Sequence, residues 1–88
     1  MKITRTDEHT LTVDIHGMRE RDAKFRLESL IDGGSAEITK IIVIHGFNNG
    51  QVLKNLVASG LQSNRIKKIE NGENSGQTVI LLKKKKQA

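Results

Sequence analysis

Two short segments of this chain share one pattern, an apolar strand-like run that ends in a His-Gly pair. They are Val13-Asp14-Ile15-His16-Gly17 and Val43-Ile44-His45-Gly46, and their separation of about thirty residues is the length of a βαβ unit. Such a unit makes its two strands parallel, which brings both His-Gly ends to the same edge of the sheet. Because open α/β sheets bind ligands at that carboxyl edge, the pattern predicts a functional site there.

Length and composition narrow the class of protein. A chain of 88 residues forms one domain with a modest core. The absence of Cys excludes disulfides and thiolate metal sites. No apolar run approaches the roughly 20 residues of a membrane span, and the segment 1–7 lacks a signal-type apolar region. We therefore expect a cytoplasmic protein with no membrane partner.

The positive charge of the chain is concentrated at its end. The formal net charge is +5, and Lys83 to Lys86 carry four of those charges, so the body is nearly neutral. Residues 83–88 are predicted to be an exposed basic tail, with sequence-independent phosphate contact as the functional alternative. The chain has no Trp or Tyr and two Phe, which disfavours an aromatic platform that stacks single-stranded bases.

Hydrophobic periodicity predicts an α/β two-layer domain over residues 10–82, after a polar lead-in at 1–9. Period-two alternation, helical spacing and Gly-rich breaks predict the elements in chain order: strand 11–16, helix 19–31, strand 38–44, helix 51–61, strand 66–70, turn 71–76 and strand 77–82. This β-α-β-α-β-β order predicts a mixed four-stranded sheet with two helices on one face and a hairpin at the end.

The first strand and the second His-Gly pair predict a polar cluster. Asp14 and His16 project from the same face of their strand, about 6.5–7 Å apart, and a neighbouring strand about 4.8 Å away brings His45 beside His16. One carboxylate and two imidazoles can perform acid–base cleavage of a phosphodiester or hold one divalent metal ion. Strand-end histidines that only cap a helix are the structural alternative, and His9 is given no role.

The glycine-bearing loop after the second histidine predicts an anion site. Backbone N–H groups between Phe47 and Val52 face an open helix start, where Gly50 allows close approach. Lys54, one turn into the helix, adds a point charge. The alternative is that Asn48 or Asn49 caps those N–H groups with its own side chain.

At these residues the chain resembles a Smr domain, the small MutS-related family. The first family signature, Leu-Asp-Leu-His-Gly, corresponds to Val13–Gly17, and the second, His-Gly-x-Gly with a further Gly, corresponds to 45–50. A Gly-rich turn before a Thr-Val strand corresponds to 72–80. The resemblance covers about residues 11–82. The chain departs from the family pattern at Phe47, Asn48 and Lys54, where the family has an often basic residue, a glycine and an arginine.

The resemblance implies the fold of the C-terminal domain of bacterial translation initiation factor three, with strand order 1-2-4-3 and the fourth strand antiparallel. It also implies nucleic-acid binding and endonuclease activity on DNA or RNA, with Mg²⁺ or Mn²⁺ as candidate cofactors where a metal assists. The catalytic residues are then Asp14 and His16, which activate the nucleophile, and His45, which protonates the leaving oxygen. The predicted nucleic-acid contacts are Gly17, Arg19, Gly46, Phe47, Asn48, Asn49, Gly50 and Lys54. A non-catalytic nucleic-acid-binding module is the second hypothesis and a protein-interaction domain is the third.

Overall fold

The computed structural model describes residues 1–46 and 50–84 of the chain. The strands are β1 (Lys2–Asp7), β2 (Thr10–Asp14), β3 (Lys40–Ile44), β4 (Ile66–Asn71) and β5 (Gln77–Leu82). The helices are α1 (Glu20–Gly33) and α2 (Gly50–Asn55), and α2 continues into a π-helical turn over Leu56–Gly60. None of these helices has the length and apolar character required to cross a bilayer.

The sheet has five strands in the order β1-β2-β3-β5-β4. β2 and β3 are parallel neighbours, as the repeated His-Gly pattern predicts, and β5 is antiparallel to both β3 and β4. The last four strands therefore follow the 1-2-4-3 order that the resemblance implies. The predicted four-stranded sheet is wrong, because residues 2–7 form a fifth strand, β1, at the edge beside β2.

β1 lacks the hydrophobic alternation by which the other strands are recognised. All six of its residues are exposed, and Ile3 is its one large apolar side chain. The strand is held by its antiparallel ladder with β2 and by a hydrogen bond of 2.6 Å between the hydroxyls of Thr6 and Thr12. An exposed, polar edge strand is a usual way to prevent further strand pairing, and it leaves little periodic signal in the sequence.

Both helices pack on one face of the sheet. α1 contributes Ala23, Leu27 and Ile31 to the core, while α2 and the π-helical turn contribute Leu53, Leu56 and Val57. The buried sheet residues of the same cluster are Val13, Ile15, Ile41, Val43, Ile80 and Leu82. The two layers therefore enclose a single core.

The opposite face of the sheet, which we call the open face, points away from the helices. Strand pairing aligns Lys2, Asp14, Ile44 and Gln77 in one row across β1, β2, β3 and β5. This row lies at the end of the sheet where β2 and β3 finish. The open face therefore presents Asp14 at the carboxyl edge that the sequence selects.

Arg65 joins several segments of the chain at the end of the domain that is remote from this edge. It is 8% exposed, and its guanidinium donates to five backbone carbonyls, those of Ile31, Ser35, Ala36, Ile38 and Lys83. Burial lowers the pKa of Arg65, against the opposing effect of the Asp32 charge. The residue thus joins the end of α1, the following loop and the end of β5, a role that a lone arginine in a polar stretch does not reveal.

Candidate nucleic-acid site at the carboxyl edge of the sheet

The two His-Gly pairs make the same backbone turn at the same edge. Gly17 has φ +77° and Gly46 has φ +84°, the left-handed region in which a glycine has no steric cost. The turns lie against each other, since a Cβ built on Gly46 would be 3.3 Å from Cβ of His16. The prediction that both motifs meet at one edge of adjacent parallel strands is confirmed.

Asp14 and His16 form a hydrogen-bonded dyad on the open face. Oδ1 of Asp14 lies 2.5 Å from Nδ1 of His16 and also accepts the backbone N–H of His16 at 3.0 Å. A carboxylate accepts, so the ring carries its proton on Nδ1 and Nε2 keeps a lone pair. The His16 side chain is 69% exposed and that of Asp14 is 28% exposed. The dyad therefore orients an imidazole that solvent and an external ligand can reach.

The same contacts decide the charge of Asp14. Partial burial works to raise the pKa of this carboxyl, but the hydrogen bonds from the side chain and backbone of His16 outweigh it, with a smaller contribution from the charges of His16 and Lys2. The net effect holds the pKa of Asp14 below its ordinary value. Asp14 is consequently an anion throughout the neutral range and can fix the tautomer of His16.

His45 occupies a different environment. It is 1% exposed, its Nδ1–H donates to the carbonyl of Gly46 at 3.2 Å, and its Nε2 accepts the hydroxyl of Thr78 at 2.9 Å. Thr78 pairs with Val43 across β3 and β5, so it lies on the core side of the sheet. Sequence reasoning missed Thr78, whose only signal is a hydroxyl within an apolar strand.

The two imidazoles therefore do not share one face. Continuing the β2–β3 register beyond Asp14 and Ile44 aligns Ile15 with His45 and His16 with Gly46. Since successive side chains alternate between faces, His16 points to the open face and His45 to the core. The acid role predicted for His45 stays a prediction.

The turn after β4 completes this edge. The carbonyl of Gly76 accepts the backbone N–H groups of His45 at 3.0 Å and Gly46 at 3.1 Å. Oδ1 of Asn74 accepts the N–H of Gly76 at 2.9 Å. A Cβ on Gly72 would lie 2.5 Å from Cβ of Gln77, so this position requires glycine. The Gly-rich turn thus holds the second His-Gly pair in place.

The predicted nucleic-acid contacts are only partly within the described structure. Gly17 and Arg19 are exposed between the dyad and α1, and Lys54 is half-buried on α2. Gly50 begins α2. Phe47, Asn48 and Asn49, with the anion site predicted at their N–H groups, lie outside the described residues. The binding roles of all these residues stay predictions.

The described residues also bear on metal binding. Within 1–46 and 50–84, no group of three His, Asp or Glu side chains is arranged to hold a metal ion. Asp14 and His16 could supply two ligands. Mg²⁺ commonly uses one or two carboxylates and takes its remaining ligands from water and phosphate. The dyad therefore fits an ion that binds together with a phosphate better than an ion held by protein ligands alone.

Comparison with models of known protein families identifies the family of this domain. The Smr domain model matches residues 13–83. The chain belongs to the Smr domain family. The match confirms the resemblance carried by the two His-Gly signatures, and it begins within β2, so β1 lies outside it.

A solved structure agrees with the fold of this Smr domain. The crystal structure of the Smr domain of Thermus thermophilus MutS2 is similar with a TM-score of 0.63 and 18% sequence identity, over 82% of this chain and 96% of that chain. At this identity the likeness supports the fold alone. No curated protein has significant sequence similarity to the chain.

Proposed function

We propose that this Smr domain binds nucleic acid and cleaves its phosphodiester backbone, with the Asp14–His16 dyad as general base. The observation that carries the proposal is the contact of 2.5 Å between Asp14 Oδ1 and Nδ1 of an exposed His16. A carboxylate in this position holds the imidazole in the tautomer whose Nε2 accepts a proton. Membership of a family with nucleic-acid-directed members supports the substrate class.

The proposed reaction needs one proton transfer at His16. Nε2 takes a proton from the nucleophile, which is water for DNA or RNA, or the adjacent 2′-hydroxyl for RNA. The nucleophile oxygen forms a bond to phosphorus while the bond from phosphorus to the leaving oxygen breaks. The leaving oxygen takes a proton from solvent, and the imidazolium of His16 returns its own proton to solvent. The anionic Asp14 stabilises the imidazolium while it exists.

In this proposal His45 positions the site and does not move a proton. Its ring nitrogens are engaged by Gly46 and Thr78, and its backbone N–H binds the Gly76 carbonyl. These contacts fix the turn that packs against Cβ of His16. Gly17, Arg19 and Lys54 remain the proposed contacts to the phosphate backbone of the nucleic acid.

A cleavage assay with matched histidine variants tests the proposal. Supercoiled plasmid and structured RNA are incubated with the domain, with and without Mg²⁺ or Mn²⁺. Asp14→Asn, which frees the His16 tautomer, is expected to reduce the rate by about 10²–10⁴-fold, and His16→Gln by a similar factor. His9→Gln is the control, because His9 is exposed but hydrogen-bonds Glu37 at the other end of the sheet. Equal cleavage by all four proteins would show contamination and remove the proposal.

A non-catalytic nucleic-acid-binding module is the second candidate, and the burial of His45 favours it. With His45 in the core, the open face offers one imidazole to a substrate, and acid–base cleavage of RNA often benefits from two. This candidate predicts salt-dependent binding with no cleavage. Removing 83–88 should then reduce the slope of log affinity against log salt, whereas affinity that is independent of salt would contradict it.

A further inference from the structure

We propose that Lys2, on the edge strand that precedes the family match, is a third member of the Asp14–His16 site and supplies the cation that binds the phosphate. The inference rests on the proposed function, since it assigns the source of positive charge at the same dyad. Lys2 belongs to β1, and the Smr match begins at Val13. The proposed contact is therefore a feature of this chain that lies outside the matched domain.

Strand register places Lys2 beside the dyad. The β1–β2 ladder sets Lys2 directly opposite Asp14, and the Cβ atoms of such a pair are about 5 Å apart. The row continues with Ile44 and Gln77, which are uncharged. Lys2 is therefore the cationic member of this row, and it lies directly opposite Asp14.

The ammonium of Lys2 is available to an external anion. Lys2 is exposed and forms no salt bridge with any residue in 1–46 or 50–84. Lys24 and Lys68 differ in this respect, since Lys24 pairs with Glu28 and Lys68 pairs with Glu70. The nearest carboxylate to Lys2 in the row, Asp14, already accepts two hydrogen bonds from His16. The flexible four-carbon stem of Lys2 lets the ammonium reach a phosphate held near Nε2 of His16.

The local charge explains why such a cation is needed. Asp14 is an anion, and the first turn of α1, which follows the dyad, carries Glu20 and Asp22. Arg19 and Arg21 alternate with these two carboxylates and balance their charge, so the anion left to repel a phosphate that approaches His16 is Asp14. The Lys2 charge opposes that repulsion, and it also contributes to lowering the pKa of Asp14. The Lys2 ammonium therefore attracts the phosphate and also favours the ionised form of Asp14.

The first test measures the free protein. The carboxyl carbon of Asp14 is titrated by NMR in the wild type, in Lys2→Met and in Lys40→Met. Lys40 is the matched control, because it is an exposed lysine on the same open face that pairs with Thr10 at the far end of β2. Lys2→Met should move the Asp14 titration to higher pH, and Lys40→Met should leave it unchanged. Identical titrations in the two variants would remove Lys2 from the site.

The second test measures binding of a defined oligonucleotide as salt is varied. One lost phosphate contact reduces the slope of log affinity against log salt by about 0.9 and weakens binding about fivefold near 0.15 M salt. We expect this for Lys2→Met, a wild-type slope for Lys40→Met, and recovery in Lys2→Arg. If the wild type binds and both methionine variants bind equally, Lys2 is not the phosphate ligand and the proposed function stands. If the wild type binds neither DNA nor RNA, the proposed function falls and the phosphate role of Lys2 falls with it.

Discussion

The hydroxyl of Thr78 donates to Nε2 of His45 across 2.9 Å, and this bond ties β5 to the end of β3 inside the core. His16, the counterpart of His45 in the first motif, is instead held by Asp14 at the surface. The same His-Gly pattern thus produces one buried histidine and one exposed histidine. The difference follows from strand alternation, which assigns the two rings to opposite faces of the sheet.

We expect Thr78→Val to destabilise the domain by about 1–3 kcal/mol, because the near-isosteric change leaves the buried Nε2 of His45 without its donor. Urea unfolding measures the loss. Thr12→Val is the matched control, because Thr12 lies on the open face and bonds an exposed Thr6, so the loss of stability in this variant should stay below about 1 kcal/mol.

A His45→Gln variant that folds and binds nucleic acid like the wild type but no longer cleaves would instead support the acid role predicted from the sequence.

Gly46→Ala should cost more stability than Gly17→Ala. Both glycines are left-handed, and an L-residue there costs roughly 1–2 kcal/mol. The new methyl at 46 also meets Cβ of His16 at 3.3 Å, whereas a Cβ at 17 meets nothing within 4 Å. The difference between the two unfolding free energies therefore isolates the contact between the motifs. Equal losses would show that the turns do not press on each other in solution.

Arg65→Lys should destabilise the domain even though the charge is retained. Lysine lacks the planar fork that reaches several carbonyls at once, so some of the five acceptors of Arg65 lose their donor. We expect a loss of about 2–4 kcal/mol in chemical denaturation. Arg21→Lys, on the exposed surface of α1, should change stability by less than about 0.5 kcal/mol. A loss at 65 no larger than that at 21 would contradict the structural role.

Acid should weaken the contact between α1 and the segment after α2 through Glu28. Its side chain accepts Lys24 Nζ at 2.7 Å and the backbone N–H of Gln62 at 2.5 Å, and these bonds lower its pKa from the ordinary 4.5. Because the folded pKa is depressed, the stabilisation is complete above about pH 4.5 and is lost as pH falls through the lower folded value.

Denaturant midpoints measured from about pH 6 down to about pH 3 test this dependence. Glu28→Gln should lower the midpoint at the upper end of this range and flatten its fall with acid. Glu73→Gln, at an exposed position of the Gly-rich turn, is the control and should keep the wild-type profile. A Glu28→Gln profile with the wild-type slope would show that these hydrogen bonds do not couple folding to protonation.

Local patterns in the sequence predicted much of this domain. Period-two alternation located β2, helical spacing located α1, and the two His-Gly pairs located the carboxyl edge, because each of these signals depends on neighbours within a few residues. The helix predicted over 51–61 begins as α2 at Gly50 and ends in a π-helical turn, where Ser59 donates to the carbonyl of Asn55. Its existence was predictable, and its widened last turn was not.

The sequence by itself determined the order of the elements from β2 to β5 and the Asp14–His16 pair, which needs only two residues of one strand. The tertiary structure decided which histidine is exposed, that Lys2 faces Asp14, and that Arg65 reaches five carbonyls. The first two depend on how separate strands are paired, and the third depends on how the end of α1 and the loop after it pack beside the end of β5. A shift of one residue in pairing moves a side chain to the other face of the sheet, and register is set by the packing of the whole core.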